Sequence, residues 1–325
     1  MFFHPVPFGC RLLFRRQSFS SAGSPAGGTI VRQLKLEEKY KRCGWFFIAP
    51  ASLLIFVFSF YPMMQALVLS LQSGLGNNLR FTGLKNYLRL FQDEIFLTSV
   101  GNVFVYLIFQ VPVMLLLALV LASILNKPDL KFKGVFRTIV FLPCATALVS
   151  SALIFKSFFA VDGIVNAYFM KFGIIDSAVN WLGHPRWAKV IIIIAITWRW
   201  TGYNTIFYLA GFQNIDASLY EAARIDGASD RQQFFKLTVP LLKPVILLTA
   251  IMSTNGTLQL FDEVKNITNG GPGNATITIS NYIYNLSFKY NPQFSYAAAV
   301  SYSILIMVAV LSFIQMKIGD SDANR

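Results

Sequence analysis

Apolar residues in this chain come in long runs, rather than in the alternating or three-to-four spacing of a fold half exposed to water. A bilayer-crossing helix needs about 20 mostly apolar residues. Six stretches reach that length: Trp45 to Leu71, Leu97 to Leu125, Thr138 to Phe159, Val190 to Phe212, Leu241 to Phe261 and Tyr296 to Met316. The pattern predicts an all-α integral membrane protein with six transmembrane helices. Pro62, Pro112 and Pro143 fall inside the first three runs. Each removes a backbone hydrogen bond and is expected to kink its helix.

The polar stretches between the runs set an orientation, because basic loops stay cytoplasmic. Arg11, Arg15, Arg16, Arg32, Lys35, Lys39, Lys41 and Arg42 precede the first run, and Lys127, Lys131, Lys133 and Arg137 follow the second. Both groups belong inside, so both termini are expected in the cytoplasm, with the loop 213–243 on the same side. The expected organisation is a basic, disordered arm over 1–43, a six-helix domain over 44–317 and a short tail over 318–325. The arm's serines near glycine give it the composition of a transit peptide, although its apolar run is too short for a secretory signal.

Composition narrows the chemistry. With 55% hydrophobic and 13% charged residues, a water-soluble fold is excluded. The formal charge of +13 lies in the loops and not along one face, which points to lipid headgroups and away from nucleic acid. Cys10, Cys43 and Cys144 are too scattered for a disulfide framework, His4 and His184 form no metal motif, and no phosphate-binding G-x-x-x-x-G-K-[ST] occurs. No metal or cofactor is expected on this chain, and any nucleotide hydrolysis is expected from another polypeptide. Asn266, Asn274 and Asn285 open N-x-[ST] sequons and are expected to be unmodified.

The loop 213–243 reads as two short helices around a glycine. Ser218 and Glu221 have the spacing of a capping box, Gly227 that of a left-handed stop, and Ser229 with Gln232 repeats the box. Pro240 suits the first turn of the fifth span. Ala222 and Ala223 leave one side of the first helix bare for a close approach by another protein.

Glu221-Ala222-Ala223, then Gly227, then Leu237-Thr238-Val239-Pro240 resembles the EAA motif of bacterial ABC importer permeases, E-A-A-x3-G-x9-I-x-L-P. Leu237 and Val239 are apolar exchanges at two of its positions. The run Ala223 to Ser229, including Asp226, and Asn269-Gly270-Gly271-Pro272-Gly273-Asn274-Ala275-Thr276 resemble the carbohydrate-uptake branch in particular. The resemblance runs from about Trp45 to Lys317. It implies a permease subunit in the bacterial inner membrane that pairs with a second, homologous permease, expected as a heterodimer. It also implies two ATP-binding subunits that carry ATP and Mg, and an extracytoplasmic sugar-binding protein. Glu221, Ala222, Ala223, Asp226, Gly227 and Pro240 would then couple the permease to its ATPase.

A solute path needs polar groups within the spans, where they are expensive. Arg199, Trp200, Tyr203 and Asn204 in the fourth run, and Asn255, Gly256, Thr257 and Gln259 in the fifth, are the candidates. Aromatic rings stack on sugar faces, and amides give and accept hydrogen bonds with hydroxyls. Each residue also has a structural alternative, as an interface anchor or an interhelical hydrogen bond. Arg199 must snorkel, pair with a carboxylate such as Asp262 or Glu263, or face a wet cavity, and the cavity is favoured. The rival to an importer subunit is a stand-alone secondary transporter or channel. It calls for acidic residues within the spans, which the first four runs lack. A membrane-embedded enzyme finds no nucleophile or metal constellation here.

Overall fold

The computed structural model describes residues 44–74, 78–127 and 129–323. The expected arm 1–43 and the last two residues of the tail lie outside the described residues. The chain divides between Ala66 and Leu67. On the first side of that division, helix α1 (Gly44–Ser70) begins. It carries a π-helical turn at Phe56–Phe60 just ahead of Pro62, where the proline supplies no N–H and the hydrogen-bond ladder must adjust. Its large apolar side chains, Trp45 to Phe60, are exposed, as hydrocarbon surroundings allow.

The second part opens with a short antiparallel pair, β1 (Gln72–Ser73) and β2 (Arg80–Phe81), then α2 (Lys85–Leu90) and α3 (Glu94–Asn126). At 33 residues and about 1.5 Å per residue, α3 is longer than the roughly 30 Å hydrocarbon core. Asp93 caps it through Oδ1, which accepts from the backbone N–H groups of Ile95 and Phe96 at 3.0 and 3.1 Å. Its Oδ2 accepts from the hydroxyls of Tyr282 and Tyr296 at 2.5 and 2.6 Å. One carboxylate thus ties the start of α3 to two later segments. Pro112 stays inside α3 without breaking it.

α4 (Lys133–Ala145) and α5 (Leu148–Phe158) follow, bent by 95° at their junction. The kink expected at Pro143 in the third run is thus a sharp break, placed after Ala145 rather than at the proline. Pro143 weakens the last turn of α4, and Thr146 and Ala147 take extended conformations, which free the carbonyls ahead of them. α6 (Ile164–Lys171) leads to α7 (Pro185–Phe212), whose Arg199 meets those carbonyls. Its guanidinium donates to the backbone oxygens of Thr146 at 2.9 Å and Pro143 at 3.4 Å, and to Ser151 Oγ at 3.1 Å. Three residues later the helices touch. A Cβ on Gly202 would lie 2.0 Å from the Val140 carbonyl oxygen, so only glycine lets α4 and α7 approach this closely.

After α8 (Ala217–Ile225) come α9 (Asp230–Leu241) and α10 (Lys243–Leu258), bent by 68° between them. The expected place of Pro240 in the first turn of the fifth span is thus also corrected: Pro240 falls before the bend, and Pro244 stands in the first turn of α10. α11 (Asp262–Ile267), α12 (Ile279–Tyr284) and α13 (Phe294–Ala323) complete the order. Among the described residues, four helices are long and apolar enough to cross a membrane, or six spans if each bent pair counts once. Polar pairs tie the bundle: Tyr208 to Thr249 at 2.9 Å, Gln110 to Thr257 at 3.1 Å and Gln315 to Thr254 at 2.8 Å. Without water to compete, such bonds hold helices in register.

Replacing Arg199 by leucine strands the Thr146 and Pro143 carbonyls, and should cost about 3 kcal/mol, the scale of lost bonds to a charged donor. Trp198→Leu, on an exposed part of the same helix, should be close to neutral. Thermal unfolding of the two variants in detergent checks the difference, and equal midpoints would remove the elbow from the stability argument.

Candidate functional site

α3, α7 and α10 enclose a cavity of about 320 Å³, within the size range of small-molecule sites. α7 contributes Trp200, Tyr203 and Asn204, α10 contributes Gly256 and Thr257, and Gln259 follows at the helix end. Six of the residues singled out for a solute path thus come to one wall. Gln110 and Met114 of α3, Leu148 at the elbow and the Asp262–Glu263 pair of α11 join them. Sequence reading did not single out the α3 residues, because one glutamine in a 33-residue apolar helix carries no local signal of direction.

Asn255 and Arg199 are not among the lining residues. Asn255 is exposed, and its Oδ1 accepts from Gln259 Nε2 at 2.6 Å. Arg199 is buried and committed to the α4–α5 elbow rather than to a wet cavity. It has no carboxylate partner either, since the one ion pair among the described residues is Lys127 with Asp230.

The aromatic lining is pre-arranged. Trp200 and Tyr203 meet edge-to-face with centroids 5.7 Å apart, and Tyr203 repeats the geometry with Phe207 at 5.0 Å. This chain of rings fixes the Tyr203 side chain between its neighbours. Gly256 has open space on its cavity side: a Cβ there would meet nothing within 4 Å. Glu263 is buried in the lining, and burial pushes its carboxyl above the usual carboxylate range. Its own backbone N–H, the Arg199 charge and the Trp200 side chain pull the other way.

The second feature is the connection from α7 to α10. The N-cap of α8 is Asp216, whose Oδ1 accepts from the Ser218 N–H at 3.0 Å, so the expected Ser218–Glu221 box is corrected. Asp216 lies two residues nearer α7 and reaches the same free donors. Glu221 is left exposed and not engaged as a cap. The other features form as the sequence predicts: Gly227 has φ +76°, and Ser229 with Gln232 makes a complete capping box. α8 has no buried residue, and Ile225 at its end is 86% exposed. Ala222 is exposed, Ala223 half-buried and Asp226 exposed. A helix with a bare apolar tip, next to a left-handed turn with no side chain, has the form of a surface that another protein covers.

Residues 96–318 match the sequence model of a family described as binding-protein-dependent transport system inner membrane component. The chain is 55% identical over 282 residues to the lactose transport system permease protein LacF of Rhizobium radiobacter, spanning 86% of this chain and 95% of the relative. It is 34% identical over 246 residues to the arabinooligosaccharides transport system permease protein AraP of Halalkalibacterium halodurans, covering 73% and 75% of the two chains. Among solved structures, a bacterial ABC transporter involved in the import of the acidic polysaccharide alginate superposes with a TM-score of 0.79. It is 22% identical, with 89% of this chain and 99% of the other covered, and supports the fold.

Because the space beside Gly256 is empty, Gly256→Val should fold and assemble while narrowing the cavity. Uptake of solute by the assembled complex should fall at least tenfold with subunit recovery unchanged. Normal uptake would place the solute route elsewhere.

Proposed function

We infer the chain's role from its family: it belongs to the binding-protein-dependent transport system inner membrane components, and within them it is a permease subunit of a carbohydrate ABC importer. The observation that carries this reading is the linkage of cavity and docking element. α7 and α10, which line the cavity, are joined by the exposed α8–Gly227–α9 unit, so a force on that unit acts on the cavity walls directly.

In this reading each bent pair is one span, giving six, and both termini face the cytoplasm of a bacterial cell. Glu221, Ala222, Ala223, Asp226, Gly227 and Pro240 belong to the coupling element. Two separate ATPase subunits bind ATP and Mg and grip α8 around its exposed Ile225. A second, homologous permease covers part of the apolar exterior, and lipid covers the rest. An extracytoplasmic binding protein delivers the sugar. The 55% identity to a lactose permease makes lactose the first solute to test. This chain performs no covalent chemistry. ATP binding by the partners favours one of two arrangements of the same helices, by the difference in how tightly each holds the ATPases.

Two measurements test the reading. A cysteine placed at Asn274 should react with an impermeant thiol reagent added to intact cells, and one at Asp230 should not. Reaction at Asp230 would reverse the orientation. Gly227→Val places a β-branched residue at φ +76°, a strain of ~1 kcal/mol or more, with open space around it. The spans should still insert, while ATPase subunits dissociate more readily during purification and transport falls. Glu221→Ala has no cap to remove, so any loss it causes reports a contact with the partner. Wild-type retention and transport in Gly227→Val would sink the docking assignment.

A further inference from the structure

Most polar groups of the cavity wall are already engaged within the chain. Gln110 Oε1 accepts from the Thr257 hydroxyl, and Gln110 Nε2 donates to Met114 Sδ at 3.1 Å. Thr257 also contacts the Ser253 carbonyl at 2.8 Å, Asn204 Nδ2 donates to the Trp200 carbonyl at 3.0 Å, and Gln259 Nε2 donates to Asn255 Oδ1. One oxygen of Glu263 stands apart from them, while the carboxyl is otherwise held by its own backbone N–H and the Trp200 side chain. Glu263 is 6% exposed, it lines the cavity, and its Oε1 has no hydrogen-bond partner among the described residues. The nearby cation does not supply one, because Arg199 donates to the α4–α5 elbow and its own Nε is likewise unpartnered.

A buried carboxyl oxygen left without a donor is costly, and native structures keep such groups where another molecule completes them. The carboxyl is chiefly an acceptor, and its unpaired oxygen can take a hydrogen bond from a hydroxyl. Beside it, Trp200 and Tyr203 present apolar ring surface. Among the described residues, no lysine or arginine lines the cavity to favour an anionic solute.

We propose that Glu263 is a solute-binding residue of the cavity, accepting hydrogen bonds from the hydroxyls of a neutral saccharide as it passes. The proposal rests on the importer-permease reading and adds to it a residue and a contact. Glu263 gives the solute a polar anchor where α11 meets the cavity, and the Trp200–Tyr203 rings hold its less polar face. A solute that lacks the contacted hydroxyl leaves the carboxyl oxygen unpaired and is carried less well.

The test uses the complete complex, with partner permease, ATPases and binding protein, and radiolabelled lactose together with its monodeoxy analogues. Glu263→Gln keeps the shape and should lower lactose uptake about tenfold at subsaturating concentration, with subunit retention unchanged. For at least one monodeoxy lactose, the loss of uptake relative to lactose should be about tenfold larger in the wild type than in the variant. Because the binding protein is the same in both complexes, its own preferences cancel in that comparison, and a merely structural role for Glu263 would not move it. If Glu263→Gln does not assemble, Glu263→Asp, which draws the carboxyl back, is compared in the same way. Identical penalties for every analogue in wild type and variant overturn the assignment of Glu263 and leave the permease reading standing. A wild-type complex that carries neither lactose nor other neutral di- and oligosaccharides overturns both.

Discussion

Inside hydrocarbon no water completes the hydrogen bonds of the backbone, so every interruption of a helix has to be answered by another part of the chain. The α4–α5 elbow is where this constraint shapes the protein most. A 95° bend in the middle of an apolar segment would leave carbonyls bare at the end of α4, and Arg199 reaches across from α7 to hold them. Nη1 alone reaches the Pro143 and Thr146 carbonyls and Ser151 Oγ, and Nη2 extends to the Cys144 carbonyl at 3.5 Å, so one always-charged guanidinium covers the end of α4. The Thr146 hydroxyl adds a bond back to the Pro143 carbonyl at 2.7 Å and lies 2.6 Å from Ser151 Oγ. Charge burial and helix breakage, each unfavourable alone, offset one another here.

The rest of the bundle follows from that elbow. With its end held, α4 can lie against α7 so closely that Gly202 has no room for a side chain. The redirected α5 packs against α11 and brings Leu148 to the cavity. An unbroken third helix would have carried those residues away from α7 and left the cavity without that wall. A residue outside the cavity lining thereby sets the shape of the space where solute is expected.

Much of this was legible in the sequence because it depended on local rules. The apolar runs, the left-handed Gly227 and the Ser229–Gln232 box all read correctly from spacing alone, since each is satisfied by neighbours within a few residues. What escaped was decided across the fold. Pro62, Pro112 and Pro143 look alike in the sequence, yet one adjoins a π-helical turn, one is absorbed in a continuous helix and one precedes a sharp break. The difference lies in which chain segments can satisfy the freed carbonyls, and for Pro143 the answer is an arginine 56 residues away. Arg199 itself was recognisable as anomalous, but the carbonyls that hold it could not be read before the break was known. Glu263 reads only as a candidate partner for Arg199, since its burial in the cavity wall is decided by the fold.

The two ends of the loop between α7 and α10 are clamped together, and this decides how a force on it would travel. Leu242, at the bend between α9 and α10, is 1% exposed and packs in one cluster with Tyr208, Leu209 and Phe212 from the end of α7. Gly211 makes room for it: a Cβ there would fall 2.7 Å from the Leu242 side chain. The loop is therefore a short rigid element on a packed pivot, and displacement of α8 is passed to α7 and α10 instead of being absorbed as slack. The outer restraint is weak by comparison. Lys127 and Asp230 pair at 3.1 Å with both side chains exposed, and such pairs contribute about 1 kcal/mol at most. In the proposed reading, a tight pivot and a loose latch suit a lever: the packed core around Leu242 is retained while α8 leaves its resting position, and the motion reaches the walls around Trp200, Tyr203 and Thr257.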